Sequence, residues 1–354
     1  MTVVDTIRAQ STPFRRHVLT ELFQRHPESR LKFAPNADHA HADLVFALTY
    51  LLEHELDPPL IRALARDHIK VSPSPAEIAD FFHILSAAIH KFCADLPHAE
   101  VAAADRKLRE IHQHFTIDAT PPTAKVVEVQ RRSRRITIVR LLASQALTYL
   151  PGQYMAVSSQ LTRGYWRNLY PSMPPSGEML EFHIFDDDDI LHALAMSQPG
   201  DEWTLGVPHG NLHVTGDNDV LMIAHATGLA PMRALILDLM MRPEKPRVHL
   251  FFGAEYPGEL YELRGLWELA AVSPWLIVTP VTGLEADPWW VQAQEHSRAP
   301  RGLHLQEVSS IAEAVTKWGA WADRDVLVAG PGDMVPNTVA ALIDAGTPSE
   351  NIQY

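Results

Sequence analysis

The chain has 354 residues, of which 46% are apolar and 21% charged, and its formal net charge is −13. That length holds two or three domains with sizeable cores, and the composition is that of an ordinary globular protein. The acidic balance argues against sequence-independent nucleic-acid binding, and a single cysteine, Cys93, excludes an intramolecular disulfide or a cysteine-ligated metal centre.

The opening "MTVVDTIRAQ" has no apolar signal core, and no stretch reaches the length of a membrane span. A reducing cytoplasm and no membrane partner are therefore expected. Residues 1–118 read as helical throughout. Leu44, Leu48, Leu51 and Leu52 recur at helical spacing, as do Ile78, Phe81, Phe82, Leu85, Ile89 and Phe92. Pro58, Pro59, Pro73 and Pro75 punctuate these segments. Ile61, Leu64 and His68 fall on one stripe, which aims an imidazole at the core. Such a histidine either binds a metal through a neutral nitrogen or simply hydrogen-bonds a carbonyl.

A Pro/Thr-rich linker, "TIDATPPTAK", precedes a set of short β runs in residues 119–217: "KVVEV", "RITIVRL", "QYMAVSS", "LEFHIF" and "DEWTLGV". Alternation and closely spaced turns predict a small antiparallel barrel. The cluster Arg131, Arg132, Arg134 and Arg135 reads as a solvated hairpin turn. In residues 218–354, "DVLMIA", "RVHLFFGA", "WLIVTP" and "DVLVAG" alternate with helical stretches at 231–241, 259–270, 310–321 and 336–345. Apolar strands alternating with helices predict a parallel sheet covered on both faces. Thr227-Gly228 and "AGPGDM" end two of its strands, where ligands sit on such sheets, and Pro231 suits the first position of a helix. The Gly-x-Gly-x-x-Gly fingerprint is absent, which argues against the common dinucleotide fold.

From about Lys125 onward, the order "PGQY", an Arg/Tyr/Ser segment, "LGVPHG", "ATGLAP", "FFGAEYPGELYEL" and "AGPGDM" resembles the ferredoxin–NADP reductase superfamily. The resemblance implies a flavin-binding barrel followed by a nicotinamide-binding α/β domain. It implies that Thr227, Gly228, Gly330, Pro331 and Gly332 line the nicotinamide site. Glu255 stands where many relatives have Arg, which favours NADH over NADPH. The family's Arg-x-Tyr-Ser places Arg on the flavin phosphate, Tyr on the isoalloxazine and Ser at its reactive nitrogen. Aligned on Arg167, the Tyr and Ser slots hold Leu169 and Tyr170, with Asn168 between. A second frame uses Tyr170 and Ser172, separated by Pro171, and needs two extra residues. Tyr170 and Ser172 are the candidate catalytic pair, and Arg167, Asn168, Leu169, Tyr170, Pro171 and Ser172 the candidate flavin contacts. The family's pyrophosphate-binding Gly-to-Ser turn is replaced by Asp186–Asp189, which either repels an anion or caps a helix. Tyr354 matches a C-terminal aromatic that stacks on the flavin.

A helical domain ahead of such a module resembles the flavohaemoglobins, through "LTELFQRHPESRLKF" and "LIRALARDHIKVSP". That resemblance implies a globin-like domain with His68 as the haem ligand, and electrons passing from flavin to haem for nitric oxide or oxygen chemistry. The distal Tyr of that family is matched by Leu19, its distal Gln by Ala40, flanked by His39 and His41. The Tyr and acid that orient its proximal His are matched by Ile78 and Glu110. The reading is thus an oxidoreductase passing electrons from NAD(P)H through FAD to haem or another acceptor. The alternatives are a non-catalytic haem- or nucleotide-binding regulatory protein that could also bind a partner protein, and a flavin reductase whose helical domain serves only for docking or dimerisation. Small-molecule ligands and a nicotinamide nucleotide are the expected partners.

Overall fold

The computed structural model describes residues 2–33, 41, 43–117, 120–216, 218–298 and 307–354. The chain divides into two compact units. The first comprises residues up to Pro122 together with Gln160–Trp166 and Thr204–Val207, and the second holds the remainder.

The first unit is built from α1 (Val3–Ala9), α2 (Ser11–Arg25), α3 (Leu44–Glu53), α4 (Pro58–Asp67), α5 (Pro75–Phe92) and α6 (His98–His114). The helix starts follow from local chemistry. Pro58 and Pro75 occupy first helical positions, where a missing N–H costs nothing, and Ser74 with Glu77 forms a capping box on α5. Glu77 is itself buried and accepts from Lys32 and Ser29, which fastens the turn after α2 to the start of α5. The apolar spacing read in the sequence becomes one core of Phe14, Val18, Leu22, Leu48, Ile61, Phe82, Leu85, Ile89 and Ile111. Cys93 closes that core at 1% exposure, and burial raises its thiol pKa.

After the helices the chain forms β1 (Thr123–Arg131), β2 (Ile136–Ala143), β3 (Tyr154–Ser159), β4 (Arg167–Leu169), β5 (Met179–Phe185), α7 (Asp189–Ala195) and β6 (Glu202–His209), all in the second unit except Thr204–Val207 of β6. The strands order as β4-β3-β6-β1-β2-β5. An antiparallel bridge between Pro171 and Phe182 joins the two ends of that order, so the sheet closes on itself as a six-stranded barrel.

The chain continues through β7 (Asp219–His225), α8 (Leu229–Met241), β8 (Val248–Ala254), α9 (Leu263–Val272), β9 (Leu276–Thr282), β10 (Glu307–Val308), α10 (Ile311–Thr316), β11 (Arg324–Ala329), α11 (Met334–Asp344) and β12 (Ile352–Gln353). These strands form a wholly parallel sheet in the order β10-β9-β8-β7-β11-β12. Both faces are covered, as the near-continuous apolar strands predict. Val220, Met222 and Ala224 pack with Leu229, Met232 and Ile236 on one side, and Leu221 and Ile223 pack with Ile311, Val315 and Leu342 on the other. The first cluster also takes in Ile136 and Ile138, so β2 shares a core with the parallel sheet.

All four helix starts differ from the sequence reading: α10 begins at Ile311 and already ends at Thr316, and α11 begins at Met334. Helix α8 begins at Leu229, so Pro231 is its third residue; the first turn has no use for that N–H either. Helix α9 begins at Leu263, because Pro257–Glu259 forms a separate 3-10 turn. Among the described residues no helix is long and apolar enough to cross a membrane.

Candidate functional site

The parallel sheet reverses its winding direction beside β7: β8, β9 and β10 lie on one side, β11 and β12 on the other. Ligands on doubly wound sheets sit at that reversal, beyond the carboxyl ends of the strands. Both glycine turns singled out in the sequence converge there. Ala226–Gly228 forms a 3-10 turn after β7, with Ala226 at φ 47, the left-handed region a β-carbon disfavours. A β-carbon on Gly228 would lie 2.1 Å from the Ala329 carbonyl oxygen, so only glycine lets the two turns meet. Gly330 faces His225 and Met334, and Gly332 has φ 54.

A crevice of about 400 Å³ opens beside these turns, at the ends of β7, β8 and β9. That is a volume suited to a sizeable ligand fragment. Glu255, Ser310, Asn337 and Thr338 line it with His225 and Gly253. Thr227, Gly228, Gly330, Pro331 and Gly332 do not themselves line it; they sit on the adjoining turns. Its charge is set by Glu255. Arg135 reaches Glu255 at 2.7 Å but also grips the buried Glu259 at 2.8 and 2.5 Å, so one cation faces two carboxylates. Burial lowers the pKa of His225 and keeps it neutral. Among the described lining residues there is no Lys or Arg.

The flavin segment is arranged differently from both sequence frames. Arg167 starts β4, and its Nε and Nη2 each lie 2.8 Å from Asp188. Asp188 is at once the N-cap of α7, accepting from the Ile190 and Leu191 amides at 2.8 and 2.7 Å. Burial would raise the Asp188 pKa, but those amides and Arg167 lower it, so it stays ionised. Of the four aspartates, Asp188 therefore caps a helix, and it also holds the guanidinium that the resemblance assigns to a phosphate. Asn168 is exposed and pairs with Ala156, whereas Leu169 is 8% exposed and belongs to the core. Leu169 thus packs inward, whereas the first frame lays it on a ring.

Pro171 makes the bridge that closes the barrel, without the two-residue bulge in β4 that the second frame requires. Ser172 lies inside the barrel. It is 0% exposed, its amide donates to the Glu181 carbonyl at 2.8 Å, and its hydroxyl donates to the Glu181 carboxylate at 2.7 Å. That hydroxyl proton is therefore given to Glu181 in this structure. Tyr170 remains available: it is half-buried and meets Tyr154 edge-on at 5.5 Å between ring centroids. Burial, then Tyr154, raises its pKa, so the phenol stays protonated. Tyr354 is 69% exposed.

In the helical unit, His68 directly follows α4 and opens the 3-10 turn His68–Val71. Its Nδ1 lies 2.7 Å from the Leu64 carbonyl oxygen, so Nδ1–H donates and Nε2 keeps its lone pair. Burial holds the imidazole below its usual pKa and neutral. These are the properties of an iron ligand, and Leu22, Phe33, Phe81 and Phe115 provide apolar walls around it. The space is small. The cavity measures about 50 Å³, room for a water or a small ligand, whereas cofactor pockets run to roughly 300 Å³ or more. His41 lines it, 5.4 Å from the His68 ring and stacked on Phe81 at 5.9 Å. A macrocycle at His68 therefore requires His41 and Phe81 to turn aside. Leu19 is buried, Ile78 lines the cavity, and Glu110 is exposed on α6, away from the orienting role its position implied. His39 and Ala40 lie outside the described residues. Among the described residues no group of three metal-ligating side chains is assembled.

The chain matches no family model. It is 27% identical over 150 residues to the phenol hydroxylase P5 protein of Acinetobacter pittii, covering 41% of this chain and 42% of that protein. Over 94 residues it is 35% identical to the reductase component of phenol 2-monooxygenase from a Pseudomonas species, covering 26% of this chain and 27% of that one. It thus spans less than half the length of either relative. The crystal structure of a flavohemoglobin from Malassezia yamatoensis, with bound FAD and heme, superimposes at a TM-score of 0.68 and 14% identity, covering 99% of this chain and 97% of that one. The fold is therefore that of a globin-like domain joined to a ferredoxin reductase-type module. More particularly, it is the fold of a flavohaemoglobin along nearly the whole chain.

Proposed function

We propose that this protein is an NADH-dependent flavin oxidoreductase that passes electrons from the nucleotide through FAD to an acceptor held near His68. In this reading residues 1–118 carry the acceptor, residues 119–217 the flavin and residues 218–354 the nucleotide. The observation that carries it is the meeting of the two glycine turns at the sheet's reversal, beside a crevice of about 400 Å³. FAD, when bound, accepts a hydride and releases electrons singly. The chain's own residues do the rest. Turns Ala226–Gly228 and Gly330–Gly332 give the nucleotide backbone a close approach. Glu255 accepts hydrogen bonds from ribose hydroxyls and repels a 2′-phosphate, which selects NADH. Tyr170, protonated and half-buried, offers an aromatic face and a phenol donor to the flavin ring.

Arg167 binds the flavin phosphate once the anion displaces Asp188 from it. His68 would hold a haem iron through Nε2. A partner protein that receives electrons fits the same reading, since two relatives are named as reductase components or hydroxylase proteins. The test is the absorption spectrum of purified protein titrated with FAD and haemin. Flavin bands that bleach with NADH support the proposal. Nucleotide binding with no flavin uptake would overturn it in favour of a non-catalytic binding protein, the reading that Asp188 on Arg167 favours.

A further inference from the structure

The barrel closes around a buried polar cluster for which the proposed function has given no role. Glu181 on β5 is 4% exposed. One carboxylate oxygen accepts from Ser172 Oγ at 2.7 Å, Arg233 Nη1 at 3.1 Å and His183 Nε2 at 3.2 Å; the other accepts from Arg140 Nε at 2.7 Å. Burial alone would raise its pKa, but the hydrogen bonds from His183 and Ser172 and the charge of Arg233 prevail and keep it ionised. His183 is neutral, donating to Glu181 and accepting from the Tyr261 hydroxyl at 2.8 Å.

Two chemical roles can be weighed. As a proton route the cluster fails: through His183 it ends at the fully buried Tyr261, and through Arg140 it ends at a guanidinium that does not give up a proton. As a geometric device it is well made. Arg233 Nη1 also donates to the Ser172 carbonyl at 2.9 Å. Arg233 stands on the second turn of α8, the helix that opens at the nucleotide turn, and Ser172 lies two residues beyond Tyr170. Tyr170 packs against the core that contains Leu229 and Met232 of the same helix.

We propose that Arg233, anchored by Glu181, is a positioning residue that locks the Tyr170–Ser172 segment to the helix carrying the nucleotide turn. This rests on the function proposed above and deepens it: Arg233 touches neither cofactor, yet it fixes the distance over which hydride must pass. Hydride transfer depends on near-contact geometry, so a small displacement lowers the rate without weakening nucleotide binding.

The test uses the full chain with Arg233→Met and Arg233→Lys. Hydrogen exchange across residues 170–173 requires no cofactor. In Arg233→Met it accelerates about tenfold or more, the scale of one lost hydrogen bond to a charged group, while β7 is unchanged. With FAD bound, the flavin-reduction rate at saturating NADH falls about tenfold with the NADH Kd within about twofold, and Arg233→Lys recovers most of it. Unchanged exchange, or loss of rate and affinity together with no rescue by Lys, overturns the proposal. If the wild-type chain takes up no FAD, the oxidoreductase reading falls and the exchange data alone decide the role of Arg233. If Arg233→Met does not fold, Arg233→Leu, which likewise offers no donor, is judged by the same exchange criterion.

Discussion

Asp188 is a single carboxylate with two duties, and they can be separated. Asparagine caps a helix about as well as aspartate but does not hold a guanidinium as an ion pair. Asp188→Asn should therefore leave α7 intact while removing the Asp188 ion pair from Arg167, and should tighten FAD binding about tenfold by fluorescence titration. Unchanged affinity would mean that Asp188 does not compete with the flavin phosphate. At the crevice, Glu255→Gln removes the lining carboxylate to which the proposed function gives the choice of NADH. The NADPH-to-NADH preference, read from kcat/KM, should rise about tenfold. His68→Ala should remove any Soret band that haemin generates with the wild type.

The sequence exposed some of these residues and concealed others for identifiable reasons. Arg167, Tyr170 and Glu255 stood out because they fill or miss a motif. Glu181 and His183 did not, because the alternation of "LEFHIF" reads as a strand with its polar side in solvent. That side is instead covered, with Arg233 and Tyr261 reaching it.

At the scale of elements, long strands were legible and short ones were not. Strands β1, β2, β7 and β8 carry seven or more residues each, enough for a period to show. Strands β4, β10 and β12 carry two or three, and only their neighbours make them strands. The parallel sheet's reversal, by contrast, depends on pairing order, which no local pattern encodes. The turn after β7 is the element most exposed to substitution. Gly228→Ala drives a β-carbon to within 2.1 Å of a backbone carbonyl that cannot swing away. A loss of roughly 1–3 kcal/mol in urea unfolding is expected, together with loss of NADH binding. Retention of both would mean that β7 and β11 separate more easily than their shared core implies.

For the molecule as a whole, burial of neutral histidines sets the response to acid. In the helical unit His41, with its pKa pushed down to about 3 by burial and then by His68, lies beside His68; His41, His68 and His112 are all held below their usual values by burial. Each binds a proton more readily when unfolded, so their contribution is complete above the ordinary histidine pKa and is lost as pH falls through it toward the folded value. Stability should fall from about pH 6.5 downward, by up to about 2 kcal/mol at pH 5 for His41 alone. His41→Phe should remove part of that slope in urea melts; an unchanged slope would place the acid response elsewhere.

The lone thiol in the helical core gives this molecule a built-in clock. Cys93 is shut among Phe14, Ile89 and their neighbours, and nothing else in the chain reacts with a disulfide reagent. Its rate of modification therefore counts openings of the helical unit and is blind to events in the parallel sheet. Seating a macrocycle beside His68 should slow that count, and displacing His41 to admit it should first quicken it. A colourless reaction at one sulfur would thus time the entry of a coloured cofactor.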